Sequence, residues 1–154
     1  MRNKIHIIEV ENNETQSVDK IIQKMRENKI IYIKSKFYKN EDVLDSVDIN
    51  GPAIILNSSG SSGKPRKCFH HLDNLKLSAA TAGKWLTEQG FELQNCLIFN
   101  TLPLNHISGL MPIFRSNSWG CDCVNISPTL IKNTKELLLF TINSKKKKKK
   151  FITS

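Results

Sequence analysis

Short apolar runs alternate with longer stretches of helical periodicity along most of this chain. Residues 4–10 form a first apolar stretch that predicts a strand. Val18, Ile21, Ile22 and Met25 then recur at helical spacing, which predicts a helix over 18–28 with Ser17 as its cap. The β-branched run 30–33 predicts a buried strand. Asn40 can cap a short helix through residue 47, and Asn50, Gly51 and Pro52 punctuate a turn.

The second half repeats the alternation. A strand at 52–57 precedes a Ser/Gly-rich loop, and a helix is predicted from about 73 to 89. Leu75, Ala79, Ala82 and Leu86 lie on its face, and Gly90 is its stop. Residues 96–101 predict a further strand, followed by a Leu-Pro-Leu turn. A helix over 106–117 places Ile107, Leu110, Met111 and Phe114 on one face. A strand at 121–126 and a helix from Pro128 to about 139 complete the pattern. The alternation predicts an α/β fold with a mostly parallel sheet flanked by helices. Ligands of such sheets sit beyond the carboxyl ends of the strands. Two loops follow strand ends, at Asn57 and Thr101, and are expected on the same edge of one sheet.

The first of these loops concentrates the chemistry. Residues 58–67 read Ser-Ser-Gly-Ser-Ser-Gly-Lys-Pro-Arg-Lys. Glycines let backbone N–H groups turn toward a ligand, serine hydroxyls add donors, and Lys64, Arg66 and Lys67 add positive charge. The guest suited to such a loop is a polyphosphate. It is not a Walker P-loop, because Ser58 stands in place of the first glycine and Pro65 in place of the metal-holding Ser or Thr. A flexible linker of the same composition would join independent units, whereas this loop lies inside one run of alternating elements.

The loop is similar to the phosphate-binding signature of the adenylate-forming (AMP-binding) acyl-CoA synthetases and ligases, usually Thr-Ser-Gly-Ser-Thr-Gly-Lys-Pro-Lys-Gly. Ser58 to Pro65 follow it closely, while Arg66 replaces a lysine and Lys67 a glycine. Residues 102–110, Leu-Pro-Leu-Asn-His-Ile-Ser-Gly-Leu, resemble the next signature of that family. Gly83-Lys-Trp-Leu86, His106 to Gly109, and Phe114-Arg115 look most like its 2-succinylbenzoate–CoA ligase branch, which serves menaquinone and phylloquinone biosynthesis.

The resemblance implies an enzyme that uses ATP with Mg2+ to activate a small-molecule carboxylic acid as an acyl-adenylate and passes the acyl group to coenzyme A. Ser58, Ser59, Gly60, Ser61, Ser62, Gly63, Lys64 and Arg66 would hold the ATP phosphates. His106 would be the catalytic residue between nucleotide and acid; its alternative is a helix-capping histidine without chemistry. Ser108, Gly109 and Arg115 would line the acyl pocket, and Arg115 is equally readable as a surface arginine.

The same resemblance implies that residues 1–50 are an α/β lead-in, 51–142 the AMP-binding portion of a large domain, and 143–154 a polylysine tail or truncated continuation. The family's adenine-binding Tyr-Gly-x-Thr-Glu-type loop, its ribose-holding aspartate and its catalytic lysine are not found in these residues. The chain is therefore expected to be an N-terminal fragment, inactive alone unless another chain completes it. Truncation in frame is the preferred account of its end, with a frameshift at the lysine codons as the alternative.

Charge and cysteines modify this little. The 154 residues carry a net charge of +9, and the six lysines at 145–150 account for most of it, leaving +3 without them. Such a run is expected to be solvated and disordered. No aromatic residue interleaves with it, so no specific nucleic acid is expected, although a polybasic interaction protein and a non-catalytic nucleotide-binding module are alternative readings. Cys68, Cys96, Cys121 and Cys123 form no C-x-x-C pair, so reduced thiols and no metal site are expected. There is no run of about 18 apolar residues, hence no membrane span, and no signal-like core; a cytoplasmic location is expected.

Overall fold

Ile31, Ile33, Ile54 and Leu56 join one apolar cluster, whereas Ile30, Tyr32 and Ile55 join another. This is the two-residue alternation of strands buried on both faces. The structure, a computed structural model, describes residues 3–11, 15–37, 46–58, 66–145 and 150–153. Its elements run β1 (Asn3–Val10), α1 (Thr15–Arg26), β2 (Ile30–Ser35), β3 (Ser46–Val47), β4 (Ala53–Ser58), β5 (Arg66–His71) and α2 (Leu72–Glu88). A single 3-10 turn, Leu93–Asn95, leads to β6 (Cys96–Asn100), α3 (Ile107–Trp119), β7 (Asp122–Asn125), α4 (Pro128–Lys132), α5 (Thr134–Lys145) and β8 (Lys150–Thr153).

The strands form two sheets among the described residues, ordered β3-β1-β2-β4-β5 and β7-β6-β8. In the first, β1–β2 and β2–β4 are parallel, with β3 and β5 as antiparallel edges. Both pairings of the second are parallel. The fold is therefore α/β and mostly parallel, as the alternation predicts.

Helices α2 and α3 pack against one another, and α3 lies between the sheets. Leu72, Leu75 and Ala79 of α2 and Leu110, Ile113 and Phe114 of α3 share a cluster with the first sheet and with Ile21 and Met25 of α1. The other side of α3 meets β6 and β7. On the outer face of β6, Leu97 and Phe99 pack with Leu130, Leu137 and Phe140; the rings of Phe99 and Phe140 lie 5.9 Å apart. One close approach adds a hydrogen bond to the apolar contact between α2 and α3. The Trp119 indole donates from Nε1 to the Ala79 carbonyl at 2.8 Å. A Cβ on Gly83 would come within 2.5 Å of that nitrogen, so only glycine fits.

Several expectations are corrected. The two sheets separate β4 from β6, so the two loops do not share one sheet edge. The reason is β5, which hairpins back along β4 and closes the edge on which the sheet would have grown. Ser17 is not a cap: α1 starts at Thr15, and Ser17 is buried within it. The helix expected up to residue 47 conflicts with β3 at Ser46–Val47; residues 38–45 lie outside the described residues. The single helix after Pro128 is two, divided at Asn133, whose Oδ1 accepts from the Glu136 N–H and starts α5. Of the lysine run, Lys145 ends α5 and Lys150 begins β8, and residues 146–149 lie outside the described residues. Residues 151–153 continue that strand beside β6, with Phe151 in register with Leu97 and Ile152 with Ile98.

Gly83→Ala is expected to destabilise the chain by about 1–3 kcal/mol through overpacking against Trp119. Urea unfolding measures it. In Gly83→Ala/Trp119→Leu the glycine change should cost much less, because the clashing ring is gone. Additive costs would refute the contact as the cause.

Candidate functional site

The antiparallel β4–β5 pair runs in unbroken register from Ala53↔His71 to Ser58↔Arg66. The Ser/Gly loop therefore closes a hairpin at the carboxyl end of β4, a strand flanked by β2 and β5. Lys67 to His70 carry no apolar period of their own, yet they belong to β5. Ser58 is half-buried and Arg66 exposed. Ser59, Gly60, Ser61, Ser62, Gly63 and Lys64 lie outside the described residues. Just below the loop, Asn57 Nδ2 donates to the Tyr32 hydroxyl at 2.9 Å, tying β4 to its neighbour β2.

The donor set of 58–66 consists of hydroxyls, backbone N–H groups, one lysine and one arginine, without a carboxylate. It fits a polyphosphate anion. It offers no carboxylate ligand to Mg2+, so a metal there would have to come with the nucleotide. Among the described residues no group of three or more His, Cys, Asp or Glu could hold a metal ion.

The second segment is built around a residue that pattern analysis passed over. Asn100 ends β6 and is fully buried. Its Nδ2 donates to the Gly109 carbonyl at 2.7 Å and to Asn125 Oδ1 at 2.8 Å. Its Oδ1 accepts from the Leu102 N–H at 3.2 Å, and its backbone carbonyl accepts from Ile126 N–H at 2.8 Å. One amide thus ties the ends of β6 and β7 to the Leu-Pro-Leu turn and the first turn of α3. The signal was a polar residue closing the apolar run 96–99, immediately before the turn.

His106 occupies the N-cap of α3 with extended backbone, but its side chain makes no capping bond and is exposed. The structure thus leaves the imidazole free of the capping role. Ser108 is exposed in the first helical turn. Pro112, inside α3, withholds the N–H that the Ser108 carbonyl would otherwise accept. Gly109 is buried, and a Cβ there would overlap the Pro103 and Leu102 carbonyl oxygens. Its glycine identity therefore follows from the turn packing on α3. Arg115 is half-buried, and its Nε is buried with no hydrogen-bond partner among the described residues. Seven residues separate it from Ser108, about 10 Å of helix rise on the same face.

The fold brings the two segments to one core although it divides their strands. Leu56, two residues before Ser58, and Leu104, two before His106, share a cluster with Leu72, Leu75 and Leu110. Burial, with the neighbouring Cys121 thiol, pushes Cys123 up to about 12, which leaves it an unreactive thiol at neutral pH. His70 on β5 is held below the ordinary histidine value of 6.5 by burial. Among the described residues no helix is long and apolar enough to cross a membrane.

No family model and no curated protein matches the chain. Solved structures do. The O-succinylbenzoate coenzyme A synthetase MenE from Bacillus subtilis, in complex with AMP, aligns with 92% of this chain and 37% of its own at a TM-score of 0.53 and 19% identity. The same enzyme with its acyl-adenylate intermediate OSB-AMP gives 0.53 and 18% over 92% of this chain and 47% of that one. McyG A-PCP, complexed with phenylalanyl-adenylate, gives 0.51 and 16% over 96% of this chain and 31% of that one. The chain therefore has the fold of part of an adenylate-forming ligase, and spans less than half the length of each of these neighbours.

Asn100→Ala should destabilise the chain by about 2–4 kcal/mol, because buried backbone groups lose their partners at about 1–3 kcal/mol each. Asn125→Ala should cost clearly less, since Asn125 is only half-buried. Equal costs in chemical denaturation would refute the central role of Asn100. His6 and His70 are both lowered in the folded chain. Below 6.5 the unfolded chain therefore binds more protons, so stability rises with pH through that window and is lost as pH falls. A flat or falling unfolding free energy from pH 5 to 7.5 would contradict the assignment.

Proposed function

We propose that this chain carries the ATP-phosphate-holding part of an ATP-dependent acid–CoA ligase that works through an acyl-adenylate. The observation that supports this reading most is the Ser/Gly/Lys loop closing a hairpin at the carboxyl end of β4, within a fold shared with adenylate-forming ligases. The finer reading takes 2-succinylbenzoate as the acid, coenzyme A as the acceptor and the cytoplasm as the location.

In the first half-reaction a carboxylate oxygen attacks the α-phosphorus of ATP, the bond to the β-phosphate oxygen breaks, and pyrophosphate leaves. In the second, the coenzyme A thiol attacks the acyl carbon, the thioester forms and AMP departs. Catalysis of phosphoryl chemistry of this kind is mainly positioning and charge stabilisation. The hydroxyls of Ser58, Ser59, Ser61 and Ser62, the backbone around Gly60 and Gly63, and the cations of Lys64 and Arg66 would hold the β and γ phosphates. Mg2+ would arrive on the nucleotide and neutralise phosphate charge.

His106, with its ring uncommitted at the start of α3, would contact the reacting carboxylate or phosphate. Ser108 would line the acid pocket, and the Gly109 backbone would let the turn approach. Arg115 has a buried guanidinium nitrogen to offer, which suits the second carboxylate of a dicarboxylic acid. The motifs that would grip adenine and ribose, and the lysine of the adenylation step, are not found among these 154 residues. This favours nucleotide binding without turnover by the chain alone.

Calorimetric titration with MgATP should show binding, and Gly60→Val should weaken it at least tenfold, about 1.4 kcal/mol. Residues 1–154 with 2-succinylbenzoate should give no ATP–pyrophosphate exchange. Absence of binding at millimolar ATP would refute the phosphate-holding role, and robust exchange would refute the inactivity of the isolated chain.

A further inference from the structure

The amino ends of β1, β2 and β4 form the edge of the first sheet opposite the Ser/Gly loop, because these three strands are parallel. A cavity of about 320 Å³ opens there, between Lys4 and His6 on β1, Asn28 and Lys29 ahead of β2, and Gly51 and Pro52 ahead of β4. Lys4 and His6 are two residues apart on a strand and so share a face. The polar side chains around the opening are hydrogen-bond donors in whole or part, and none is a carboxylate.

No carboxylate lines the cavity, although Asp48 follows the β3 edge that pairs with Lys4. The ion pairs of the described residues are Lys24–Glu27, Lys34–Glu9, Lys36–Glu11 and Lys76–Asp73, and neither Lys4 nor Lys29 belongs to one. Charged groups reach His6 from α1 (Lys24), from the turn between α1 and β2 (Glu27 and Lys29) and from its own strand (Lys4). Glu27 is held by Lys24 at 2.8 Å and by Gln23 at 3.0 Å. Burial first, then the three lysines, lowers the His6 pKa against Glu27 alone. Among the described residues the cavity is therefore a concave site whose lining charges are positive, and the lysines outnumber Glu27 in their action on His6.

The carboxyl end of α1 also lies here, and a helix C-terminus opposes an anion. That opposition is muted. The carbonyls of Gln23, Lys24 and Met25 accept from the N–H groups of Glu27, Lys29 and Asn28, and Lys24 and Arg26 occupy the last turn.

We propose that this cavity binds a phosphate-type oxyanion, held by the ammonium groups of Lys4 and Lys29, with the Asn28 amide and a His6 ring N–H as further donors. The shared chemistry is a tetrahedral, multiply charged oxyanion, free or borne on a small ester. The site is independent of the proposed nucleotide loop, which lies at the opposite end of the strands.

The test uses the full chain and the His6 imidazole resonances. Inorganic phosphate should raise the apparent pKa of His6, since an anion favours the protonated ring, and should leave His70 unmoved. Lys4→Gln/Lys29→Gln should weaken phosphate binding at least tenfold and abolish the His6 response, while Lys76→Gln should change neither. Ribose 5-phosphate distinguishes the sources: tighter binding than phosphate indicates an ester-borne group, and equal or weaker binding the free ion. A His6 response reproduced by sodium chloride at equal ionic strength would overturn the proposal. So would phosphate binding that survives Lys4→Gln/Lys29→Gln.

Discussion

A primary amide cannot be buried without partners, and Asn100 is buried where two strands, a turn and a helix converge. Its hydrogen bonds to Gly109, Asn125 and Leu102 are made together only when all four pieces are in place. The same constraint requires α3 to approach the Leu-Pro-Leu turn closely enough that residue 109 can carry no side chain. Helix α3 therefore has its start, and with it His106, positioned by the second sheet. Its buried side, through Leu110, Ile113 and Phe114, is committed to the first. The helix is the mechanical link between the sheets.

The electrostatics of the first sheet follow from its parallel strands. The carboxyl end of β4 passes into a loop rich in hydroxyls and glycine, whereas the amino ends of β1, β2 and β4 collect Lys4, His6 and Lys29. Neither the sequence of the loop nor the lining of the cavity includes a carboxylate. At the amino ends the donors are side chains around a hollow. The half-buried Arg115 belongs to neither and carries its own unmatched buried nitrogen.

Legibility in the sequence varied with the source of the signal. Strands β1, β2, β4, β6 and β7 and helices α1, α2 and α3 stood out, because burial on one face or two imposes a period on the residues themselves. On α1, Ile21 and Met25 were legible as core, and they are buried. Helix α2 was legible, but its buried face runs through Leu72, Leu75, Ala79 and Gly83. The small residue at 83 is buried because Trp119 presses on it from another helix, which no local period records. Strand β5 was missed because its residues are all exposed or half-buried and include two histidines and three cations or thiols, so they lack an apolar pattern. The break at Asn133 was missed because a cap inside a continuous polar-apolar pattern changes no period.

The sequence by itself determined the α/β alternation, the phosphate-suited composition of 58–67 and the order of the two chemical segments, since these depend on local spacing and residue type. Tertiary structure alone decided that the strands belong to two sheets, that the loop closes a hairpin, and that Asn100 and Gly109 lock the turn to α3. It also decided that Lys4, His6 and Lys29 meet at one edge. Those outcomes depend on which distant backbone groups pair and how closely two elements can approach, and neither is written in the spacing of neighbouring residues.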